Sequence, residues 1–518
     1  MKLSLCPWLV LATLSCTLVA DAARILIVFP MPSPSHVILG DAVVKHLAAA
    51  GHDITYITPV PKKTFPQNVQ QVDVSDNFKA VPTELLDIKT LLEKKFSLSM
   101  DVMFQLMNNI HNTTFHNPNV QKFLRDANQQ FDLVIAEWMH CELYSAFAGI
   151  FNAPYIWVST VEPHWMVLSL IDEAPNPAYS PDPMFSSNSL PFTFVERVQE
   201  LWSQIRGYYW KEIVFPAKTN EIYSGLAPYF KMRGREPPNY DDLRFNASIM
   251  FGNSHVSLGE ATRLPQNYKP IGGYHINTDV APLPADLQKL MDDSKNGVIY
   301  FSMGSNLKSK HFPEELKRKI LKMFGGLKQT VLWKFEEVLP DLPSNVHILQ
   351  WAPQPSILAH PNCVLFITHG GLLSTTETTY FAKPIIGIPA FADQFINVDR
   401  AVAKGFAKRV DLSYNMADEL GVAINEMLQN PSYTNKVKEL SFVYHHRIAS
   451  PSAELVHWTD HVIKTRGAPH LRSPAISVPF YQKMYLDLLA LIVVALLGLR
   501  AVVRLIFKKK SDKKVKKQ

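Results

Sequence analysis

Four loops in the second half of this 518-residue chain carry polar groups directly after apolar runs. Gly304-Ser305-Asn306 follows VIYFSM, Trp351-Ala352-Pro353-Gln354 follows VHILQ, His369-Gly370-Gly371 follows VLFIT, and Asp393-Gln394 comes shortly after IIGIP. Ser374 and Glu377 fall in the first turns of a helical pattern that opens at Gly371. Trp351 offers a flat face for a base and Glu377 a carboxylate for ribose hydroxyls. His369, together with backbone N–H groups at a helix N-terminus near Gly371, offers a cradle for phosphates. Asp393 and Gln394 suit neutral hydroxyls such as those of a sugar. Together these groups describe a nucleoside diphosphate site. Taken singly, each has an ordinary explanation: a core Trp, a Glu on a solvated helix face, an Asp-Gln helix cap. Their ordered spacing sets them apart.

Such loops need strand ends beneath them. The second half reads as strands near 298–303, 330–335, 346–350, 364–368 and 385–388, separated by helices near 313–325, 354–360, 371–382 and 394–405. That succession predicts a doubly wound parallel sheet, whose ligands lie beyond the C-terminal strand ends. The first half opens with RILIVF (24–29) and a helix over 35–50 closed by Gly51-His52. DITYIT (53–58), FDLVIAE (131–137) and APYIWVS (153–159) read as further strands. Residues 60–130 look mainly helical, 172–193 read as a long loop, helical patterns follow to about 230, and 255–295 reads as a linker.

No G-x-G-x-x-G follows a strand and no Walker loop is present, so dinucleotide redox and P-loop chemistry lack their usual signature. H-E-x-x-H, G-x-S-x-G and any clustered Asp/Glu metal box are also missing. Apolar residues at 47% and charged residues at 19% exclude a disordered or fibrous chain. The formal charge of +6 does not mark a nucleic-acid binder. Seven of the 52 Lys and Arg, and one of the 46 Asp and Glu, lie in the tail 508–518, so the rest of the chain carries both signs equally. Before that tail, residues 485–507 would make about 34 Å of helix, enough to span a bilayer. Arg500 and Arg504 can snorkel toward the Lys cluster, which assigns the C-terminus to the cytosol. An apolar run to Ala20 followed by Ala20-Asp21-Ala22 reads as a cleaved signal segment, 1–22, which would remove Cys6 and Cys16. The two cysteines left, Cys141 and Cys363, form no disulfide framework, although a single bridge stays open. Asn112 and Asn246 head glycosylation sequons, and Lys514-Val515-Lys516-Lys517-Gln518 resembles an endoplasmic reticulum retrieval pattern.

The run FITHGGLLSTTETTYFAKPIIGIPAFADQ (Phe366 to Gln394) resembles the signature of the UDP-glycosyltransferase family. Extended upstream to Trp351 it is similar to the 44-residue plant form of that motif. The resemblance continues through FSMGS (301–305), IGGYH (271–275), GAPHLR (467–472) and the terminal anchor, and is closest to the membrane-bound animal enzymes of insect type. It implies an α/β, GT-B-like fold: two doubly wound parallel-sheet domains facing across a cleft, plus one C-terminal transmembrane helix. The expected parts are a signal peptide (1–22), an acceptor domain (23–275), a UDP-sugar domain (276–472), a linker (473–484), the span (485–507) and the cytosolic tail. By the same resemblance Trp351 would stack on uracil, the Ala352 backbone would hydrogen-bond it, and Gln354 and Glu377 would hold the ribose. Ser305, His369, Gly371 and Ser374 would bind the diphosphate, and Asp393 with Gln394 the sugar. Leu373 departs from the animal pattern, which often has Asn there, so one donor near the phosphates is missing.

The family places a catalytic base after the first strand, which here is His36. An imidazole suits removal of a hydroxyl proton near neutrality and wants a carboxylate on its other nitrogen. The family uses Asp at the end of the strand FDLVIAE. The matching residue here is Glu137, one methylene longer, with Asp132 as a nearby alternative. The implied reaction is inverting and metal-independent: His36 takes the acceptor proton, the oxygen attacks the anomeric carbon, and UDP leaves. The helix N-terminus and His369 would offset the developing charge. The acceptor would be a small lipophilic alcohol or phenol, with Phe104, Met107, Trp138, Met139 and Trp165 as candidate lining or ordinary core. UDP-glucose is the expected donor; UDP-glucuronate, or an inactive member that binds lipophiles or nucleotide sugars, stays open. Self-association is compatible with either. The body would be lumenal in the endoplasmic reticulum, as a single-pass membrane protein.

Overall fold

The computed structural model describes residues 22–82, 87–93, 99–182, 186, 188 and 190–515. The expected signal segment with Cys6 and Cys16, and the end of the Lys-rich tail, lie outside these residues. The chain divides into two compact units, Met1–Arg472 and Ser473–Gln518.

In the first unit the apolar runs pair into two sheets. One contains β1 (Arg24–Val28), β2 (Asp53–Thr58), β3 (Val69–Asp73), β4 (Leu133–Trp138), β5 (Tyr155–Ser159), β6 (Ile249–Gly252) and β7 (Tyr268–Pro270) in the order β3-β2-β1-β4-β5-β6-β7. The other contains β8 (Val298–Ser302), β9 (Thr330–Lys334), β10 (Val346–Leu349), β11 (Cys363–Thr368), β12 (Ile385–Gly387) and β13 (Ala407–Arg409) in the order β10-β9-β8-β11-β12-β13. Every pairing in both is parallel. The central strands β4, β5 and β8 are buried along their whole length, as sheets covered on both faces require. Strand order reverses between β1 and β4 in one sheet and between β8 and β11 in the other. At those points successive connections leave on opposite faces and open a crevice beyond the strand ends.

The helices include α1 (Pro34–Ala49), α2 (Met100–His116), α3 (Phe194–Tyr209), α4 (Gln354–Ala359), α5 (Leu372–Tyr380), α6 (Gln394–Ala403) and α7 (Pro451–Lys464). Pro34 stands in the first turn of α1, where a missing N–H costs nothing, and Leu39, Val43 and Leu47 face inward. Gly40 lets α1 settle close to the sheet: a Cβ there would lie 2.5 Å from the Tyr56 hydroxyl and 2.8 Å from the Phe29 ring.

Strands β3, β6, β7 and β13 were not expected from the sequence. They are short, and β3 (VQQVD) is only partly buried, so it lacks the apolar run that marks its neighbours. The expected linker 255–295 holds β7 and a helix, Ala285–Asp293. Helix α7, late in the expected second domain, packs on α1. Leu455, Val462 and Ala468 join the apolar cluster of Ile25, Val43 and Leu47. Cys141 and Cys363 are both buried and unbridged.

The second unit contains α8 (Leu486–Val515). Its segment Leu486–Phe507, 22 residues, is long and apolar enough to cross a membrane.

Candidate active site

The loops after β8 and β11 meet because their strands are adjacent, with Ser302 registered against Thr368. Gly304 and Gly370 take φ of +81° and +80°, a region that L side chains enter only with strain. His369 lies between the two loops. A Cβ on Gly304 would come within 2.5 Å of its ring and one on Gly371 within 2.6 Å, so both glycines are needed for this closeness. Helix α5 starts immediately after Gly371, presenting its first N–H groups beside His369. Burial, then the neighbouring Lys334 ammonium, pulls the His369 imidazole down to about 4. It is therefore a neutral donor or acceptor near pH 7. Lys334, at the end of β9, is the nearby full cation: its ammonium donates to the Gly304 carbonyl (2.9 Å) and to Glu336 (3.0 Å).

Trp351 is 70% exposed at the end of β10, its ring 5.9 Å from the Lys334 ammonium. Ala352 is buried beside it, with its carbonyl accepting from the Gln354 N–H at 2.8 Å. The Gln354 amide donates to Glu377 (2.5 Å) and to the Ser374 hydroxyl (3.2 Å), which links the start of α4 to the first turns of α5. Burial, only partly offset by that amide, pushes the Glu377 carboxyl up to about 7. His275 stands 3.7 Å from its other oxygen and is itself held near 4 by burial. Ser305, half-buried, extends the loop after Gly304.

Asp393 and Gln394 open α6. The Gln394 side-chain oxygen accepts from the Ala390 and Phe391 N–H groups (3.0 and 3.2 Å). Asp393 accepts from Asn397 (2.8 Å), whose amide also reaches the Gly370 carbonyl (3.1 Å). Burial raises the Asp393 carboxyl above its ordinary range. Ala392 between these loops takes φ +55°.

Across the crevice, β1 and β4 are neighbours with Val28 registered against Ala136, so the start of α1 and the end of β4 converge. His36 Nδ1 hydrogen-bonds Glu137 Oε1, and the extra methylene of Glu137 does not separate them. A carboxylate can only accept, which puts the proton on Nδ1 and leaves the Nε2 lone pair available. Glu137 is 1% exposed, and its second oxygen has no hydrogen-bond partner among the described residues. Asp132 stands at the other end of the strand, accepting from the Arg24 N–H at 2.8 Å, and is structural. Asp393 lies close enough for its charge and that of His36 to interact. The two sheets' loops touch at Ser33, whose hydroxyl donates to Asn306 (3.2 Å).

Phe104, Met107, Trp138 and Trp165 are buried members of the first sheet's core, and Met139 packs against them. Phe104 also lines a cavity of about 190 Å³ with His140, Glu142, Lys211 and Phe215, a lining that includes neither His36 nor Glu137. Leu373 packs against the first sheet's apolar cluster and supplies contact between the sheets rather than a polar donor. Asn112 is exposed on α2, and Asn246 is exposed with its oxygen accepting from Arg472. Among the described residues, no group of three or more His, Cys, Asp or Glu is placed to hold a metal ion. Two contributors were missed in the sequence. Lys334 could have been noticed as a lone cation ending the apolar strand VLWK. Asn397, one turn after Asp393, carries no signal without the fold.

A family model described as "UDP-glucoronosyl and UDP-glucosyl transferase" matches residues 24–518. UDP-glycosyltransferase UGT5 of Dactylopius coccus is 32% identical over 492 residues, covering 93% of this chain and 90% of that protein. UDP-glucosyltransferase 2 of the same organism is 31% identical, covering 94% and 93%. Among solved structures, that of CalG4, the calicheamicin glycosyltransferase, superposes with a TM-score of 0.53 at 16% identity, covering 87% of this chain and all of that one (100%). The last likeness concerns the fold, the two-sheet GT-B architecture.

Proposed function

The chain belongs to the UDP-glucuronosyl and UDP-glucosyl transferase family and is a UDP-glycosyltransferase, and from that premise we propose that it moves glucose from UDP-glucose to a hydroxyl of a small lipophilic acceptor, with inversion and without a metal ion. The observation that carries this reading is the His36–Glu137 hydrogen bond at the strand ends facing Asp393.

In the proposed reaction His36 Nε2 accepts the acceptor's hydroxyl proton while the oxygen attacks the anomeric carbon from the face opposite UDP. Glu137 holds the ring's orientation and stabilises the imidazolium that forms. The sugar hydroxyls meet the Asp393 carboxylate and the Gln394 amide N–H. The leaving diphosphate receives the first N–H groups of α5, the Ser305 and Ser374 hydroxyls, the neutral His369 ring and the Lys334 ammonium. Trp351 stacks on the base, the Ala352 backbone reads its edge, and Glu377 with Gln354 binds the ribose.

A neutral sugar is favoured over glucuronate by the charges nearby. Asp393 and Glu137 are both acidic, and Arg400 is engaged by Glu260 at 3.8 Å. A sugar carboxylate there would meet the like charge of these two carboxylates. The apolar surroundings of Trp138, where burial lowers the basicity of His140 and His164, support a lipophilic acceptor. The apolar segment Leu486–Phe507 supports a membrane anchor with the body in the endoplasmic reticulum lumen and the Lys-rich tail in the cytosol.

The test is to incubate membranes carrying the protein with UDP-glucose or UDP-glucuronate and a panel of phenols, beside a His36→Ala control. Glucoside from wild type alone is the expected result. Product from glucuronate only would overturn the donor assignment, and no product from either donor would leave a binding protein in place of an enzyme.

A further inference from the structure

Asp393, Asn397 and Arg400 stand at positions i, i+4 and i+7 along the start and body of α6, which places them on one helix face. Arg400 lies about 10 Å further along the axis than Asp393. The near end of this face is tied to the second sheet's own loop, since the Asn397 amide donates to Asp393 (2.8 Å) and to the Gly370 carbonyl (3.1 Å). The far end meets the first sheet. Glu162 comes shortly after the end of β5, and Glu260 lies in the loop between β6 and β7. The Arg400 guanidinium stands 3.8 Å from Glu260. Gly259 lets that loop close on Glu162: a Cβ there would lie 2.3 Å from the Glu162 carboxyl oxygen. Burial pushes the Glu162 carboxyl up to about 7, and the Arg400 charge acts against that rise, so the two side chains are near enough to interact.

Polar groups are left over in this contact. Glu162 Oε1, Arg400 Nη1 and the hydroxyls of Ser180 and Thr262 are buried, with no hydrogen-bond partner among the described residues. All of these residues line one cavity of about 10 Å³. That is room for a single water and nothing larger. An orphaned buried group is costly, and orphans that converge on one small space can be satisfied together. The inventory balances. A guanidinium only donates, an ionised carboxylate only accepts, and each hydroxyl does either. One water accepts from Arg400 and one hydroxyl, and donates to Glu162 and the other.

We propose that one water bound between Glu162, Arg400, Ser180 and Thr262 ties α6 to the first sheet, and that Glu162 and Arg400 are positioning residues for Asp393. This rests on the reading of Asp393 as a sugar ligand. With the tie in place, α6 cannot turn about its axis or slide without breaking it. The side of the crevice that holds His36 thereby sets the direction of the carboxylate on the other side.

The test measures equilibrium binding of UDP-glucose and of UDP to the full chain in detergent. Asp393→Ala is the reference and should weaken UDP-glucose while leaving UDP unchanged. If it weakens neither, the sugar assignment fails and the positioning role fails with it. Glu162→Leu removes one partner of the water, and Ser180→Val fills the cavity. Each should lower UDP-glucose affinity about threefold to tenfold with UDP unchanged. The double variant should be no weaker than the weaker-binding single, because both remove the same water. Glu162→Gln, which still accepts from the water, should recover most of the affinity. Thr262→Val is nearly isosteric, carries the least risk to folding and should shift UDP-glucose binding in the same direction. If Asp393→Ala shows its selective loss while the Glu162, Ser180 and Thr262 variants bind as wild type, the tie is overturned and the sugar reading stands. Additive losses in the double variant overturn the shared water. Equal loss of UDP and UDP-glucose affinity would mark a general disturbance of the fold and overturn the positioning role.

Discussion

A carboxylate bonded to one nitrogen of an imidazole decides which nitrogen is basic, and His36 with Glu137 is such a pair. Replacing Glu137 by Gln keeps the volume but no longer stabilises an imidazolium, so kcat should fall by about 10²–10⁴ with the KM for UDP-glucose unchanged. Steady-state kinetics on Glu137→Gln checks this, and a change confined to donor KM would contradict it. Glu377 makes a pH prediction. Burial raises its carboxyl to about 7, whereas ribose hydroxyls need the ionised form as acceptor. The ionised fraction rises as pH passes through 7, so UDP-glucose should bind about tenfold more weakly at pH 6 than at pH 8. His369, already neutral throughout that window, does not oppose the trend. Calorimetric titration of Glu377→Gln should give a flat profile; a wild-type slope in the variant would refute the assignment. Lys334→Met should raise the donor KM on the order of tenfold or more by removing a charge-assisted contact at the phosphates.

Elements bring these residues together, and here the sequence and the structure part company unevenly. The strand–helix succession from 298 to 405 was legible because its strands are short apolar runs, buried throughout in β8 and β12, and the loops after them carry glycine or proline. Within it, the clustering of Trp351, Gln354, His369, Ser374 and Glu377 follows directly from parallel strand order. Four short strands and the return of α7 to the first sheet were not legible. These strands are short, three to five residues, and VQQVD in β3 carries little apolar pattern. Lys334 and Asn397 were missed because nothing local joins β9 to the Gly304 loop or α6 to Gly370. The glycine loops test the element scale. Gly304→Ala would force an L residue to φ +81° and press on His369, so UDP-glucose affinity should drop severalfold in direct binding while the first sheet's packing is untouched. Binding equal to wild type would mean the two loops do not form the diphosphate cradle.

At the scale of the molecule, the formal charge of +6 sits in the tail beyond the apolar span, and the body is balanced. Protease added outside sealed vesicles should remove only that tail, seen as a small mass shift; digestion of the body would reverse the orientation. Two sheets, each with its reversal of strand order opening toward the crevice, place the His36–Glu137 pair on one side and the loops of Trp351, His369 and Asp393 on the other, which the proposed reaction uses as base and nucleotide cradle. The central claim is that both sides act on one sugar. The most direct measurement is the anomeric configuration and rate of product formed from UDP-glucose, an α-linked donor, by wild type and by His36→Ala. The account predicts a β-glucoside from wild type and turnover lowered by about 10²–10⁴ in the variant with UDP-glucose binding retained. An α-glucoside, or equal turnover in the two proteins, would contradict it.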